Sequence, residues 1–187
     1  MLNRITTNDL TQIALSTAFL AVASLIIIPI GMVPITLQVV LFLLIPAILG
    51  PVKSILVIGL YTIAGLLGFP VFAGGLGGIG QLLSPSFGYI LGAIPMGWFI
   101  GKTIERTENK VQTGSIMLIS VIILYVIGIA YQYGLLNFVL STPVALSTLV
   151  KTNLTIFFPI DSLKVLIAVI LYYRLKKMSF YKRINRY

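Results

Sequence analysis

Two residue types that carry much of enzyme chemistry are missing, because this 187-residue chain contains no cysteine and no histidine. Without cysteine the chain has no disulfides, no thiol nucleophile and no thiolate metal ligand. Without histidine it lacks the usual general base and the commonest transition-metal ligand. Only 4 residues are Asp or Glu. We therefore expect no enzyme and no metal site, because catalysis needs a nucleophile with a base, or a metal.

The chain has few charged residues and many apolar ones. Charged residues make up 9% of the sequence and hydrophobic residues 58%. A soluble domain carries roughly 25% charged residues. The composition therefore predicts a polytopic membrane protein, with residues 1–187 forming a single integral membrane domain in the lipid bilayer.

Apolar runs separated by Gly, Pro and short polar stretches predict an all-α fold with six transmembrane helices. A bilayer-spanning helix needs about 20 apolar residues. The predicted helices cover about 9–29, 38–49, 53–69, 87–101, 114–140 and 160–175. Residues 141–159 are expected to be less regular.

The positive charges predict the orientation of this bundle. Arg4, Lys53, the 102–110 connection and the basic tail after Arg174 all fall on one side of a six-helix arrangement, whereas segments 30–38 and 70–86 contain no Lys or Arg. Loops rich in Lys and Arg stay in the cytoplasm. Both termini are thus expected to be cytoplasmic, and the net charge of +9 is assigned to lipid headgroups and topology, with no nucleic-acid partner.

Asp161 and Lys164 stand at the start of the last apolar run and are the first candidates for a binding site. Their spacing places them on one face of a helix. Ionisable residues at membrane depth are rare and commonly functional. A Lys ammonium can bind a ligand carboxylate, and an Asp carboxylate can accept a ligand N–H. The alternative is a structural ion pair that stabilises the helix N-terminus.

A glycine-rich segment, 68–80, holds five glycines between Gly74 and Gly80. Glycine permits positive φ angles and close backbone approach. Irregular backbone at membrane depth is tolerated where it lines a cavity or is buried in protein. The segment is therefore a candidate for backbone contacts to a small ligand, and a flexible outer loop or tight helix packing is the alternative.

Ala14 and Ala18 give the first predicted helix a face of small residues four positions apart. Another helix can pack closely on such a face. The partner is either a helix of this chain or a helix of another subunit.

Several short segments together resemble one known family. They are Val33-Pro-Ile-Thr-Leu-Gln38, Leu49-Gly-Pro51, the run from Gly65 to Gly78, Gly88-Tyr89, Glu105-Arg106 and Phe158-Pro-Ile-Asp161 followed by Lys164. In this order and spacing, over almost the whole chain, they resemble the BioY family. Its members are the biotin-specific substrate-binding (S) components of energy-coupling-factor (ECF) transporters.

The resemblance implies the high-affinity capture of biotin from an outward-open cavity covered by two loops. Asp161 would accept a ureido N–H, and Lys164 would bind the valerate carboxylate or orient Asp161. The ureido end would be completed by Gln38 and by the backbone of Gly74, Gly75, Gly77 and Gly78. Tyr89 is the best placed of the aromatic residues to stack on the ligand.

The resemblance also implies the partners. A transmembrane coupling subunit would dock on Ala14 and Ala18, and two ATPase subunits would use the ATP, so the chain itself would need no cofactor. The expected location is a bacterial plasma membrane, crossed several times.

The chain departs from the family pattern at the expected cavity. It has Ser84-Pro-Ser-Phe-Gly-Tyr89 where the family often has Gly-Pro-Thr-Gly-Gly-Tyr, and apolar Leu76 and Ile90 where some relatives have a polar residue and an Arg. Fewer side chains are left to hydrogen-bond a ligand. Two other functions therefore stay open, an S component for another small vitamin and a non-catalytic assembly subunit of the membrane.

Overall fold

The structure, a computed structural model, describes residues 6–29, 33–105, 107 and 109–178. The helices are α1 (Thr7–Leu25), α2 (Gln38–Leu66), α3 (Phe87–Ile104), α4 (Lys110–Gly134), α5 (Leu146–Thr152) and α6 (Phe158–Lys176). Two short strands, β1 (Ile27–Ile28) and β2 (Ile35–Thr36), pair antiparallel between α1 and α2. The helical class predicted from the sequence is confirmed, with this small ribbon as an addition. The expectations for Arg4, Arg106 and the tail beyond residue 178 lie outside the described residues.

The first helix, α1, begins with a capping box. The Thr6 hydroxyl accepts the Asp9 backbone N–H at 3.2 Å, and the Asp9 carboxylate accepts the Thr6 backbone N–H at 2.9 Å. This reciprocal pair satisfies two amide groups that a helix start leaves open. The helix therefore starts at Thr7, earlier than the predicted residue 9, and it ends at Leu25, before the predicted residue 29.

The second helix, α2, is a hairpin of two helical arms, 38–49 and 51–66, that meet at Gly50. Gly50 has φ 78° and ψ 179°, which breaks the helix. The Gln38 amide donates to the Tyr61 hydroxyl at 2.6 Å. In a straight helix these residues would stand about 35 Å apart, so the arms fold back on each other. The two helices predicted on either side of Gly50-Pro51 correspond to the two arms.

The third helix, α3, packs tightly on the turn of this hairpin. Gly101 lies against the backbone of Gly50 and Pro51, and a Cβ at residue 101 would meet the Gly50 carbonyl carbon at 2.6 Å. Only glycine allows this approach. Because α3 ends at Ile104 and α4 begins only six residues later at Lys110, both helices have an end on the same side of the bundle as the Gly50 turn.

The segment 141–159, predicted to be less regular, is largely helical, and this expectation is corrected. It contains α5 and a π-helical turn, Asn153–Phe157, that leads directly into α6. A similar π-helical turn, Leu135–Val139, ends α4. Pro159 follows the turn, and a proline ring collides with the carbonyl four residues earlier in an ordinary α-helix. The wider π turn makes room for the ring, so the helix continues through Pro159.

The two ends of the bundle differ in charge. At one end, which we call the basic end, lie Lys53, Lys102, Lys110 and Lys176. At the other end, the cavity end, the β1–β2 ribbon and the 70–86 loop meet the π turns and α5. Within the described residues, three helical stretches are long and apolar enough to cross a membrane: Gln38–Leu66, Lys110–Val139 and Leu146–Lys176.

Candidate functional site

A cavity of about 230 Å³ opens at the cavity end of the bundle. Its walls come from the ribbon, from the first arm of α2, from the 72–90 segment, from α4 and from the α5–α6 region. The side chains that line it are Val33, Pro34, Ile35, Thr36, Gln38, Val39, Phe42, Phe72, Ala73, Leu76, Gln81, Ser84, Ser86, Phe87, Tyr89, Ile90, Leu124, Tyr125, Asn153, Phe157, Asp161 and Lys164.

The strongest charges in the cavity belong to Asp161 and Lys164, which form a buried ion pair. Lys164 Nζ lies 2.7 Å from Asp161 Oδ1, and the residues are 6% and 4% exposed. The Tyr125 hydroxyl donates to the other carboxylate oxygen, Oδ2, at 2.6 Å. Both oxygens of Asp161 thus have one donor each and keep further acceptor capacity, while Lys164 keeps two N–H donors. The sequence predicted that Asp161 and Lys164 share a helix face, with their mutual ion pair as the alternative to ligand binding, and it did not single out Tyr125.

A second polar group centres on Gln38, at the start of α2. The Thr36 hydroxyl donates to Gln38 Oε1 at 3.0 Å, and Gln38 Nε2 donates to the Tyr61 hydroxyl at 2.6 Å. Gln38 is 7% exposed and lines the cavity. The hydrogen bonds from both sides fix the amide, so its remaining N–H and its carbonyl oxygen have a defined direction.

A third polar group joins Tyr89 and Asn153. The Tyr89 hydroxyl donates to Asn153 Oδ1 at 2.9 Å and lies 3.3 Å from Gln132 Oε1. Asn153 Nδ2 donates one hydrogen to the Leu149 carbonyl at 2.9 Å, so its second N–H is available toward the cavity. Asn153 is 3% exposed.

Asn153 is a functional candidate that the sequence reading missed. It begins the π turn that precedes α6. Such turns are frequent at functional sites because the extra residue redirects a side chain. A single Asn in a moderately polar stretch gives no comparable signal in the sequence.

The four predicted glycines shape the cavity wall but, among the described residues, do not line it. The amide of Gly74 donates to the Ser24 carbonyl at 3.1 Å, that of Gly75 to Phe72 at 2.9 Å and that of Gly78 to Gly65 at 2.7 Å. Those three have positive φ angles, and Gly77 lies against the backbone of Phe69. These contacts fold the loop so that its other side chains, Ala73 and Leu76, face the cavity.

Aromatic rings close much of the remaining wall. Phe72 packs edge-on against Tyr61 and Phe87 with ring centroids 5.5 and 6.1 Å apart. Tyr89 packs edge-on against Tyr125 at 6.3 Å. The residues at which the chain departs from the family pattern, Leu76, Ile90 and the 84–87 segment, also contribute to the wall. In that segment the Ser84 and Ser86 hydroxyls hydrogen-bond to each other at 2.8 Å.

The predicted docking face on α1 is exposed. Ala14 and Ala18 are both open to the surroundings, and the large neighbouring side chains Leu15, Phe19 and Val22 are 51%, 57% and 57% exposed. The rest of the described chain does not bury these two alanines. With respect to those residues, the surface is open to a helix of another subunit or to lipid.

The geometry defines a class of protein, a helical membrane protein with a small-molecule-sized cavity at one end. Its cavity combines apolar and aromatic walls with a few fixed polar groups, which is typical of small-molecule sites. The ligand that fits has an apolar body with N–H donors and acceptor oxygens at its edges.

The family model that matches this chain is that of the BioY family, over residues 1–180. The chain belongs to the BioY family, and it is a transport protein and not an enzyme. A probable biotin transporter BioY of Lysinibacillus sphaericus is 37% identical over 139 residues, which cover 73% of this chain and 70% of that protein. The biotin transporter BioY of Thermotoga maritima is 30% identical over 171 residues, 91% of this chain and 97% of the relative.

A solved structure agrees with these relatives in fold. The crystal structure at 2.1 Å of the S-component for biotin from an ECF-type ABC transporter matches with a TM-score of 0.83 at 30% identity. The match covers 100% of both chains.

Proposed function

We propose that this chain is the biotin-binding S component of an ECF-type transporter and that it captures biotin for uptake. The observation that carries the proposal is the buried Tyr125–Asp161–Lys164 group at the wall of a largely apolar cavity. Biotin offers a matching surface, because it has an apolar bicyclic body, one ureido group and one carboxylate. Burial of the apolar body at about 25 cal/mol per Å² contributes much of the affinity.

The polar residues of the cavity contact different parts of the ligand. Asp161, held by Tyr125 and Lys164, accepts a ureido N–H. Lys164 uses its remaining donors for the carboxylate or for orienting Asp161, and Gln38 completes the ureido end. An analogue without the ureido group leaves these buried groups unpaired, which costs far more than the loss of an apolar contact.

Tyr89 and Asn153 line the same wall, and the glycines act through the loop. Tyr89 presents its ring to the ligand, and Asn153 offers the free N–H of its amide. Gly74, Gly75, Gly77 and Gly78 hold the loop that covers the ligand, either contacting the ureido group through their backbone when the loop closes or only positioning Ala73 and Leu76.

The bundle crosses a bacterial plasma membrane six times, with α1, the two arms of α2, α3, α4 and α6 as the spans. The basic end faces the cytoplasm with both termini, because Lys and Arg stay on that side. The cavity end faces outward, and residues 1–187 act as one membrane domain. The chain requires no cofactor of its own.

The partners supply the energy for transport. A transmembrane coupling subunit docks on the face of α1 that carries Ala14 and Ala18, and two ATPase subunits hydrolyse ATP. Close helix packing on small residues is the usual way in which membrane helices associate.

Isothermal titration of the purified chain with biotin tests the ligand, with riboflavin and thiamine as controls. We expect heat with biotin alone, and no heat with biotin in the Asp161→Asn variant. If the folded chain binds riboflavin or thiamine instead of biotin, its ligand is a different vitamin. We would then attribute the changed specificity to Leu76, Ile90 and Phe87. A folded chain that binds none of them would favour an assembly subunit.

Cellular uptake of labelled biotin tests the docking face separately. Ala14→Trp places a bulky ring on α1, which we expect to abolish uptake while the titration with biotin stays unchanged. Ala130→Trp, at an exposed alanine of α4, is the matched control. Full uptake by Ala14→Trp would remove this face as the docking surface.

A further inference from the structure

A groove of about 530 Å³ runs between α4 and α6 on the outer surface of the bundle. No described residue lines both this groove and the cavity. Its walls are mainly apolar, and Val111, Leu166 and Ile170 are 77%, 55% and 48% exposed. Gly114 leaves its floor open, because a Cβ there would meet one side-chain atom of Val169, at 3.8 Å.

The ammonium group of Lys110 stands at one end of this groove, and that of Lys176 approaches the same aromatic ring as Lys110. Lys110 lines the groove, and its Nζ lies 5.7 Å from the centroid of the Tyr173 ring. Lys176 Nζ lies 6.0 Å from the centroid of the same ring. Among the described residues that line the groove, Lys110 is the one charged side chain. The groove thus has a cationic end and an apolar length.

The position of Lys110 fits the level of lipid headgroups. The helical span Lys110–Val139 has 30 residues, a length of about 45 Å, whereas the hydrocarbon core of a bilayer is about 30 Å thick. Lys110 at the beginning of the span therefore lies in the headgroup region. From Lys110 to Leu118 the groove descends about 12 Å along α4 into the hydrocarbon.

We propose that this groove binds an anionic phospholipid, with one acyl chain between α4 and α6 and the phosphate beside Lys110 and Lys176. The apolar walls match the acyl chain, and the cations match the headgroup. A second copy of this chain is a poor occupant, because a two-fold contact would bring the Lys110 and Lys176 side chains of both copies together. The proposal is independent of the ligand that the cavity binds.

Native mass spectrometry of the purified full chain tests the site, with phosphatidylglycerol and phosphatidylcholine titrated as the probes. We expect one phosphatidylglycerol to bind at least about fivefold more tightly than phosphatidylcholine. Gly114→Leu fills the groove and should weaken the bound phosphatidylglycerol by about tenfold or more. Gly59→Leu is the matched control, since Gly59 has open space beside it and lies on α2.

A second pair of variants tests the cation. Lys110→Gln should weaken phosphatidylglycerol about fivefold and leave phosphatidylcholine unchanged. Lys102→Gln, at the same basic end but away from the groove, should have no effect. Circular dichroism and thermal unfolding of each variant verify that the bundle is folded. Equal binding of both lipids, unchanged binding in Gly114→Leu, or a dimer that only Gly114→Leu dissociates would overturn the proposal.

Discussion

The two ends of the bundle each hold one ion pair among the described residues, and the two pairs differ in their surroundings. At the cavity end, the side chains of Lys164 and Asp161 are 8% and 6% exposed, and the Tyr125 hydroxyl binds the same carboxylate. At the basic end, Lys53 pairs with Asp9, and their side chains are 25% and 20% exposed. The Lys53 ammonium also donates to Gln12 Oε1 at 3.0 Å.

Burial, more than distance, separates the roles of these pairs. An exposed pair gains little, because water and salt already screen both charges. A buried pair gains little net stability either, but removal of one partner leaves an uncompensated charge and costs about 3–5 kcal/mol. We therefore expect the exposed Asp9–Lys53 pair to tolerate the loss of one charge. The buried Asp161–Lys164 pair should not tolerate it.

The largest effect is expected when the buried pair is broken. Asp161→Asn leaves the Lys164 ammonium without its carboxylate, and we expect the affinity for biotin to fall at least about 100-fold. The melting temperature should fall as well, with the bundle still folded. Titration calorimetry and thermal unfolding measure the two quantities.

The double variant Asp161→Asn/Lys164→Met separates binding from stability. Removal of both charges should restore the melting temperature but not the affinity. If the single variant loses stability but keeps its affinity for biotin, the Asp161–Lys164 pair is structural. The two ion pairs would then differ only in how much they stabilise the fold.

A smaller effect is expected from the tyrosine that distinguishes the buried pair. Tyr125→Phe removes the hydroxyl donor to Asp161 Oδ2 and keeps the ring, which packs against Tyr89 and Phe158. A hydrogen bond to a charged group contributes about 1.5 kcal/mol or more, so the affinity should fall about tenfold. Tyr133→Phe, whose ring lies outside the cavity wall, is the control, and equal affinities of the two variants would exclude this role of Tyr125.

A still smaller effect should follow from a change behind the cavity wall. A Cβ at Gly128 would meet the Tyr89 ring at 2.5 Å, so Gly128→Ala should push the Tyr89 hydroxyl away from Asn153. Loss of this neutral hydrogen bond, about 1 kcal/mol, corresponds to about fivefold in biotin affinity. Gly59→Ala has open space around it and controls for the helix propensity of alanine. Equal affinities in both variants would show that Tyr89 does not need Asn153.

The smallest effect is expected at the basic end. Asp9→Asn removes the charge that pairs with Lys53 but keeps an oxygen for the Thr6 cap. We expect the free energy of unfolding to change by about 1 kcal/mol or less, with unchanged biotin affinity. A loss as large as that of Asp161→Asn would break the distinction between the two ends. Thermal unfolding at low and high salt measures it, because an exposed pair weakens with salt.

The sequence predicted most of what charge and helix breakers determine. Gly50-Pro51 marked the turn of α2, because a proline follows a glycine that can take a positive φ. Asp161 and Lys164 stood out, because an ion pair at membrane depth is conspicuous in an apolar run. Leu76 and Ile90, the departures from the family pattern, lie in the cavity wall.

The sequence could not predict features that depend on the direction in which a backbone amide or a side chain points. The glycines indicated an unusual backbone but not that the Gly74, Gly75 and Gly78 amides would be used inside the loop. Asn153 became a cavity residue only through the π turn, which no periodicity announces. Tyr125 resembled the other apolar-run aromatics until the packing of α4 on α6 brought its hydroxyl to Asp161.

Because Asn153–Phe157 forms a π turn, the arrangement of the cavity residues depends on the number of residues in this segment. Each residue of an α-helix turns the chain by about 100°. Deletion of a single residue from the turn would rotate Asn153 and α5 relative to Asp161 and Lys164, so the two polar groups would face different directions. Between residues 153 and 157, substitutions of exposed side chains such as Leu154, at 54% exposure, should therefore be tolerated. Insertions and deletions in this segment should not be.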